Sequence, residues 1–207
     1  MEELTTAGKT GALNWIRKFA RGKNNSGRPL PEVLKRSGHY WYEMKPDTQA
    51  DLVLGMNLAD RIFIAKMRER GFVDQRLIRL TAKPDINVDV DLCHALLNSV
   101  LGLFLIEASG FGRGLGALDL NATKISRGLR MLNPNLLSEA HIENIKVGFS
   151  KLSSRKVGNI LEELESSDRA AFDRLIFDAY GIEKWLQPVK NALKSLFQIR
   201  NSVAGDR

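Results

Sequence analysis

Between residues 38 and 83 the apolar positions come in short runs broken by charges and turn residues, whereas from Asp89 onward they recur at helical spacing. Asp51-Leu52-Val53-Leu54-Gly55, Arg61-Ile62-Phe63-Ile64-Ala65 and Arg76-Leu77-Ile78-Arg79-Leu80 have the length and separation of hairpin-linked strands. Arg68-Glu69-Arg70-Gly71 fits a turn between the last two. His39-Tyr40-Trp41-Tyr42 adds an aromatic run of high β-propensity, closed by Lys45-Pro46-Asp47.

Asp89 or Asp91 can cap a helix in which Leu92, Leu96, Leu97, Val100, Leu101, Leu103 and Phe104 leave no polar side, the mark of a buried helix. It should stop before Gly110, because every second residue from Gly110 to Gly116 is glycine, which weakens a helix. Ala117-Leu118-Asp119-Leu120 then reads as a strand, and Asn121 or Thr123 as the start of a short helix reaching about Leu132. Ser138 caps a helix with Ile142, Ile145, Val147 and Phe149 inward. Helices over Val157–Leu164, Phe172–Ala179 and Ile182–Ile199 follow, with Tyr180-Gly181 as a stop and Pro188 as a kink or first-turn residue. Glu162, Glu163 and Glu165 read as a solvated helix face. The pattern predicts an α+β chain: a small, twisted, mostly antiparallel sheet around residues 38–83 and 117–120, joined to a helical C-terminal part. It divides into a basic N-terminal segment (1–37), a mixed α/β region (38–132) and a helical part (133–207).

Charge changes this picture. Among 207 residues, 31 are Lys or Arg and 24 are Asp or Glu, a net charge of +7 that favours a polyanionic partner. The excess is greatest at the start, where residues 1–50 hold 9 basic and 5 acidic groups. There Arg17, Lys18, Arg21, Lys23 and Arg28 surround Gly22–Pro29, which reads as a mobile loop anchored by Trp15-Ile16 and Phe19. At 43% hydrophobic residues the chain is too apolar for bulk disorder. One cysteine, Cys93, excludes an internal disulfide framework and cysteine-rich zinc sites. The longest apolar stretch, around Leu96–Ile106, is interrupted by Asn98, Ser99 and Gly102 and is short of the ~20 residues a membrane span needs. The absence of an apolar N-terminal run argues against a secretory signal, so the expected compartment is the cytoplasm.

Common catalytic constellations are missing. The glycine loop lacks the Lys-Ser or Lys-Thr of a P-loop and follows a helix, whereas a dinucleotide fingerprint follows a strand. His39, His94 and His141 lack metal-ligand spacing, and no Gly-x-Ser-x-Gly elbow occurs. Basic groups with aromatic neighbours remain: Lys35-Arg36 before the aromatic run, then Arg61, Lys66, Arg68 and Arg70, then Arg113, Lys124, Arg127 and Arg130 around the glycine loop. Such guanidinium groups contact phosphates or guanine edges. The bland alternative is an aromatic core with solubilising cations.

The order of these features resembles a known family. Trp15-Ile16, the basic glycine loop, Arg28-Pro29, Trp41-Tyr42 and Asp51-Leu52-Val53 together resemble the target-recognition region of bacterial N6-adenine DNA methyltransferases. Ala95–Phe104 is similar to that family's helix carrying Leu-Asn-Ser, and Gly110–Leu120 to its glycine-rich loop ending in Gly-Ala-Leu. Thr123 to Asn133-Pro134 resembles the stretch that follows. Arg155-Lys156-Val157-Gly158, Glu163-Leu164, Asp168-Arg169, Phe172-Asp173 and Tyr180-Gly181-Ile182 resemble the family's C-terminal part. The resemblance covers roughly residues 13–200.

The family's Asn-Pro-Pro-Tyr tetrad, which holds the flipped adenine, is absent, as is its glycine-rich turn for S-adenosylmethionine. The resemblance therefore implies the DNA-reading half of a restriction–modification methyltransferase, with residues 38–132 as the recognition region. It implies no catalytic, cofactor-binding or metal-binding residues in this chain. S-adenosylmethionine belongs to the parent enzyme, and the expected partners are double-stranded DNA and a catalytic domain, in the same polypeptide or a separate one. The expected DNA contacts are Arg113, Lys124 and Arg127 near the glycine loop and Arg36, Arg61 and Arg68 from the strand zone. Two rivals are a helical protein-interaction module, or specificity subunit, with an incidental basic surface, and a metal-dependent nuclease using Asp51, Asp60 or Glu69. The nuclease lacks support because no Asp/Glu-x-Lys spacing stands out near a strand.

Overall fold

A computed structural model describes residues 1–43, 49–83 and 85–202. The chain forms two units, Met1–Asp47 and Thr48–Arg207. In the first, the basic segment is largely helical: α1 (Glu2–Thr6), α2 (Thr10–Ala20) and α3 (Leu30–Val33). Helix α2 buries Leu13 and Ile16, and its Trp15 ring lies 4.8 Å from Phe19 and 6.1 Å from Trp41. The loop from Gly22 to Pro29 is closed by Asn24, whose Oδ1 accepts from the N–H groups of Ser26 and Arg28 at 3.0 and 2.9 Å.

The aromatic run His39–Tyr42 is not a strand. It folds back on Glu43, whose carboxylate accepts from Tyr40 N–H at 3.1 Å and meets His39 Nδ1 at 3.0 Å. Without a neighbouring strand, β-propensity has nothing to act on. Its expected terminator, Lys45-Pro46-Asp47, lies outside the described residues.

The second unit is α+β, with two three-stranded antiparallel sheets rather than one. In the first sheet β1 (Gln49–Gly55) lies between β3 (Ile64–Phe72) and β4 (Leu77–Leu80). Leu54 pairs with Ile64 on one side and Ile78 on the other, and all three are buried. The expected turn at Arg68–Gly71 is instead part of β3. Ala50 pairs with Gly71 and Leu52 with Lys66, so Met67–Arg70 all face Asp51 alone and bulge from the ladder. The second sheet runs β2 (Asn57–Leu58), β6 (Ala117–Asp119), β5 (Phe111–Arg113).

The buried helix predicted from Asp89 is two helices, α4 (Val90–Leu97) and α5 (Val100–Ser109), bent by 70° at Asn98-Ser99. Asp89 caps the first and Ser99 the second. No single helix among the described residues is long and apolar enough to cross a membrane. Helix α6 (Ala122–Gly128) ends sooner than its pattern suggests. Helices α7 (Glu139–Ser153), α8 (Ile160–Glu165), α9 (Ser167–Ala179) and α10 (Leu186–Ser202) then form a layer over α4 and α5, with α7 on α4 and α10 on α5. Ser138 caps α7 as predicted, but Val147 on that helix is exposed. Pro188 sits in the first turn of α10, where its missing N–H costs nothing.

Asn98 holds the bend to the sheet. Its Oδ1 accepts from Ile64 N–H at 3.0 Å, and its Nδ2 donates to the carbonyls of Ile64 (3.0 Å) and His94 (2.9 Å). His94 Nε2 lies 2.8 Å from the same Ile64 carbonyl. On the other side, Arg169 of α9 donates to the Asn98 carbonyl, and Asp173 accepts from Val100 N–H at 2.8 Å.

Glu163 is a correction to the solvated-face reading: it is 4% exposed and bridges Arg155 (2.7 Å) and Arg169 (3.4 Å). Burial alone would raise its pKa, but hydrogen bonds from Arg155 and Gly158 N–H hold it below the usual carboxylate range. Asp168 is held well below that range, chiefly by Arg155. Asp173 goes the other way. It is 1% exposed, its Oδ2 has no partner among the described residues, and Arg169 is 3.8 Å from Oδ1. Burial, only partly offset by Arg169, pushes its carboxyl up to about 6.

Two outcomes follow from these contacts. Asn98→Ala strands the N–H of Ile64 away from water and leaves its carbonyl to His94 alone, which should cost about 2 kcal/mol in urea denaturation; an unchanged midpoint would mean that the Ile64 N–H finds another partner. For Asp173, the folded state favours the protonated acid, so this group gains the protein stability as pH falls from about 6 toward the unfolded value of 3.8. Asp173→Asn should therefore be more stable than wild type at pH 7 by about 3 kcal/mol, the gap closing by pH 4. A gap that stays constant across that range would mean that Asp173 does not titrate there.

Candidate nucleic-acid interface

The glycine-rich segment is a β-hairpin built against the end of a core helix. Gly110 terminates α5, and a Cβ there would collide with the side chains of Leu118 and Leu120. Strands β5 and β6 pair Phe111 with Asp119, Gly112 with Leu118, and Arg113 with Ala117. A 3₁₀ turn, Gly114–Gly116, joins them. Gly116 has φ +72°, left-handed backbone that other residues adopt at a cost, and a Cβ at that point would also overlap the Asn201 side chain.

Alternation in so short a sheet gives it two different faces. Leu118 and Leu58, paired across β6 and β2, are buried in the core. Asn57, Asp119 and Phe111 form a row on the opposite face, with Arg113 and Ala117 beside them. Phe111 is 46% exposed. Arg113 Nε contacts Asp119 Oδ2 at 2.6 Å, which engages one of the five N–H donors of the guanidinium. The Arg113 side chain is 66% exposed, while Asp119 beneath it is 13% exposed.

Lys124 arrives from a different element. Asn121 caps α6, its Oδ1 accepting from the N–H groups of Thr123 (2.9 Å) and Lys124 (3.1 Å), and this fixes the direction in which α6 leaves the sheet. Lys124 Nζ then lies 5.9 Å from the Phe111 ring centroid, the same distance as Arg113 Cζ. Arg127 follows three residues along α6, on the same side as Lys124, and is exposed. Its carbonyl accepts from Arg130 Nη1 at 2.9 Å.

Of the six basic residues expected to touch DNA, this brings Arg113, Lys124 and Arg127 onto adjoining elements. Arg61 lies in the segment before β3, 51% exposed and 3.9 Å from Asp60, whose carbonyl accepts from Ile160 N–H at 2.9 Å. Arg68 is exposed on the β3 bulge. No contact joins either of them to the Phe111 cluster among the described residues. Arg36 belongs to the first unit, where it donates to the Glu43 carbonyl. Asp51, Asp60 and Glu69 do not assemble: Asp51 lies 3.9 Å from Arg70, Asp60 pairs with Arg61, and Glu69 is exposed on the bulge. Among the described residues, no three His, Cys, Asp or Glu side chains group so as to hold a metal ion.

What anchors the hairpin from behind lies outside any local pattern. Arg200 of α10 pairs with Glu107 of α5 at 2.7 and 3.1 Å, both side chains 3–4% exposed, and also donates to the Gly116 carbonyl. One cation thus joins the last helix, a core helix and the hairpin turn. A cleft of about 310 Å³ remains beside this ion pair, lined by Gly112, Arg113, Leu196 and Ile199. No signal short of knowing the tertiary contacts could have marked Arg200, because its partner lies 93 residues away.

No protein-family model, curated protein or solved structure matches the chain.

Arg200→Ala leaves Glu107 buried without its partner and should cost about 3–5 kcal/mol. Replacing both together, Arg200→Met with Glu107→Leu, should recover much of that loss in thermal denaturation. A double variant as unstable as Arg200→Ala would transfer the main role to the Gly116 contact.

Proposed function

We propose that this chain reads duplex DNA as the recognition part of a bacterial N6-adenine DNA methyltransferase, working with a catalytic domain that supplies the adenine pocket and S-adenosylmethionine. The observation that carries the reading is the convergence of Arg113 and Lys124, from a hairpin and a separately capped helix, on one exposed face of the second sheet. Arg127 extends the positive surface along α6, and Asp119 offsets only part of it. The net charge of +7 supports a polyanionic ligand.

The division of labour follows from what each group offers. Guanidinium and ammonium groups neutralise phosphates and set the register of the protein on the duplex. A guanidinium held by one of its N–H groups keeps its others for a phosphate or for the O6 and N7 edge of guanine. Arg61 and Arg68, exposed on the first sheet and its flank, would contact DNA outside this cluster. The residues similar to the family's Leu-Asn-Ser motif lie at the bend between core helices and carry the fold, so recognition rests on the hairpin and α6.

Fluorescence anisotropy with a mixed-sequence duplex, titrated between 50 and 200 mM KCl, tests this. Kd at physiological salt should be on the order of 10⁻⁴ to 10⁻⁶ M, with log K falling by about 0.9 per neutralised phosphate for each unit of log salt. Arg113→Ala and Lys124→Ala should each lower that slope by about 1 if the group holds phosphate. Affinity independent of salt would withdraw DNA as the ligand.

A further inference from the structure

Phe111 sits in an unusual position for a large apolar side chain. It is 46% exposed on the outward face of a sheet whose inward residues Leu118 and Leu58 are buried, and glycine on both sides removes competing bulk. Two cations lie over its ring, each 5.9 Å from the centroid, one from the hairpin and one from α6. Packing gives it no internal role: the core is completed by Leu118 and Leu58 on the other side of the sheet.

An exposed aromatic ring carrying two cations complements a nucleotide, whose anionic phosphates can draw the cations off the ring and whose flat base can then take the face they leave. We propose that Phe111 is a stacking platform for a base that has left its helical stack, with Arg113 and Lys124 holding the flanking phosphates. This rests on the DNA-binding reading above and adds to it a residue that is neither basic nor polar. The ring itself is half exposed and set on a paired strand, so only the two cations must move on binding. Charge complementarity selects nucleic acid over an uncharged apolar partner for the same face, since the cations would be desolvated without compensation under the latter.

The test compares two duplexes of identical length and flanking sequence with the full chain, one fully paired and one carrying a two-base mismatch with 2-aminopurine at its centre. Wild type should bind the mismatched duplex several-fold more tightly and quench 2-aminopurine fluorescence. Phe111→Ala should weaken binding to the mismatched duplex about tenfold, lose the quench and leave the salt slope unchanged. Phe111→Trp should retain preference and quench, whereas Phe111→Leu, apolar but without a π-face, should lose the quench. Equal affinity of wild type for both duplexes, or a preference and quench that survive in the Ala and Leu variants, would overturn the platform while leaving salt-dependent binding in place. Loss of salt-dependent binding to both duplexes in wild type would instead overturn the DNA reading, and the platform with it. Displacement of both duplexes by an equal charge concentration of poly-aspartate, with no quench in wild type, would assign the face to acidic peptides.

Discussion

The side-chain amide of Asn98 takes the place of a missing strand. Ile64 turns its N–H and C=O away from β1 at the outer edge of the first sheet, and Asn98 answers both as a backbone neighbour would. A carboxamide presents a donor and an acceptor side by side, as a peptide unit does, which suits it to this place. Because Asn98 is also the point where α4 ends and α5 begins, the edge of the sheet and the direction of both core helices are set by one residue. Its own carbonyl accepts from Arg169, so the outer helical layer is registered on the same bend.

From that bend the interface is positioned in sequence. Helix α5 leaves Ser99 and delivers Gly110 to the second sheet, where Arg200 of α10 fastens the turn of the hairpin from behind. Buried charge is spent on joining elements: Glu107 with Arg200 links helices 93 residues apart, and Glu163 ties α8 to Arg155 before it and to Arg169 of α9. The exposed charges Arg113, Lys124 and Arg127 stay on the opposite side of the hairpin and on α6. A rigid support behind and an accessible cationic face in front is the arrangement that keeps recognition groups preorganised.

Local pattern made much of this legible, where a signal was complete within one element. The short apolar runs Leu52–Leu54 and Leu77–Leu80 marked β1 and β4, and Asp89 and Ser138 announced their helices as caps. Three kinds of feature escaped. Glu163 differs from its solvated neighbour Glu162 only by a helical rotation, and its burial depends on Arg155 and Arg169 arriving from elsewhere. Of the hairpin only β6 was legible, at Ala117–Leu120; β5 is three residues long and flanked by glycine, too short for alternation to show, so a glycine-rich connector hid the partner strand. His39–Tyr42 had strand composition without a partner strand and closed on Glu43 instead. At the site, charge and proximity in sequence singled out Arg113, Lys124 and Arg127, but Phe111 looked like any apolar residue until the sheet set it on the outer face.

The bulge at Met67–Arg70 bears on how the chain behaves in company. β3 is an edge, and an unbroken edge of nine residues would be a template on which a second chain could lay down a strand. Here that template is spoiled at both ends: Asn98 occupies the hydrogen-bonding groups of Ile64, and beyond Lys66 four residues arch out of register with two arginines and a glutamate among them. An incoming strand would meet no continuous ladder and would have to desolvate charge to follow the arch. The irregularity therefore protects against edge-to-edge aggregation, and straightening it, by deleting three of the four residues, would restore an edge open to fibre-like growth.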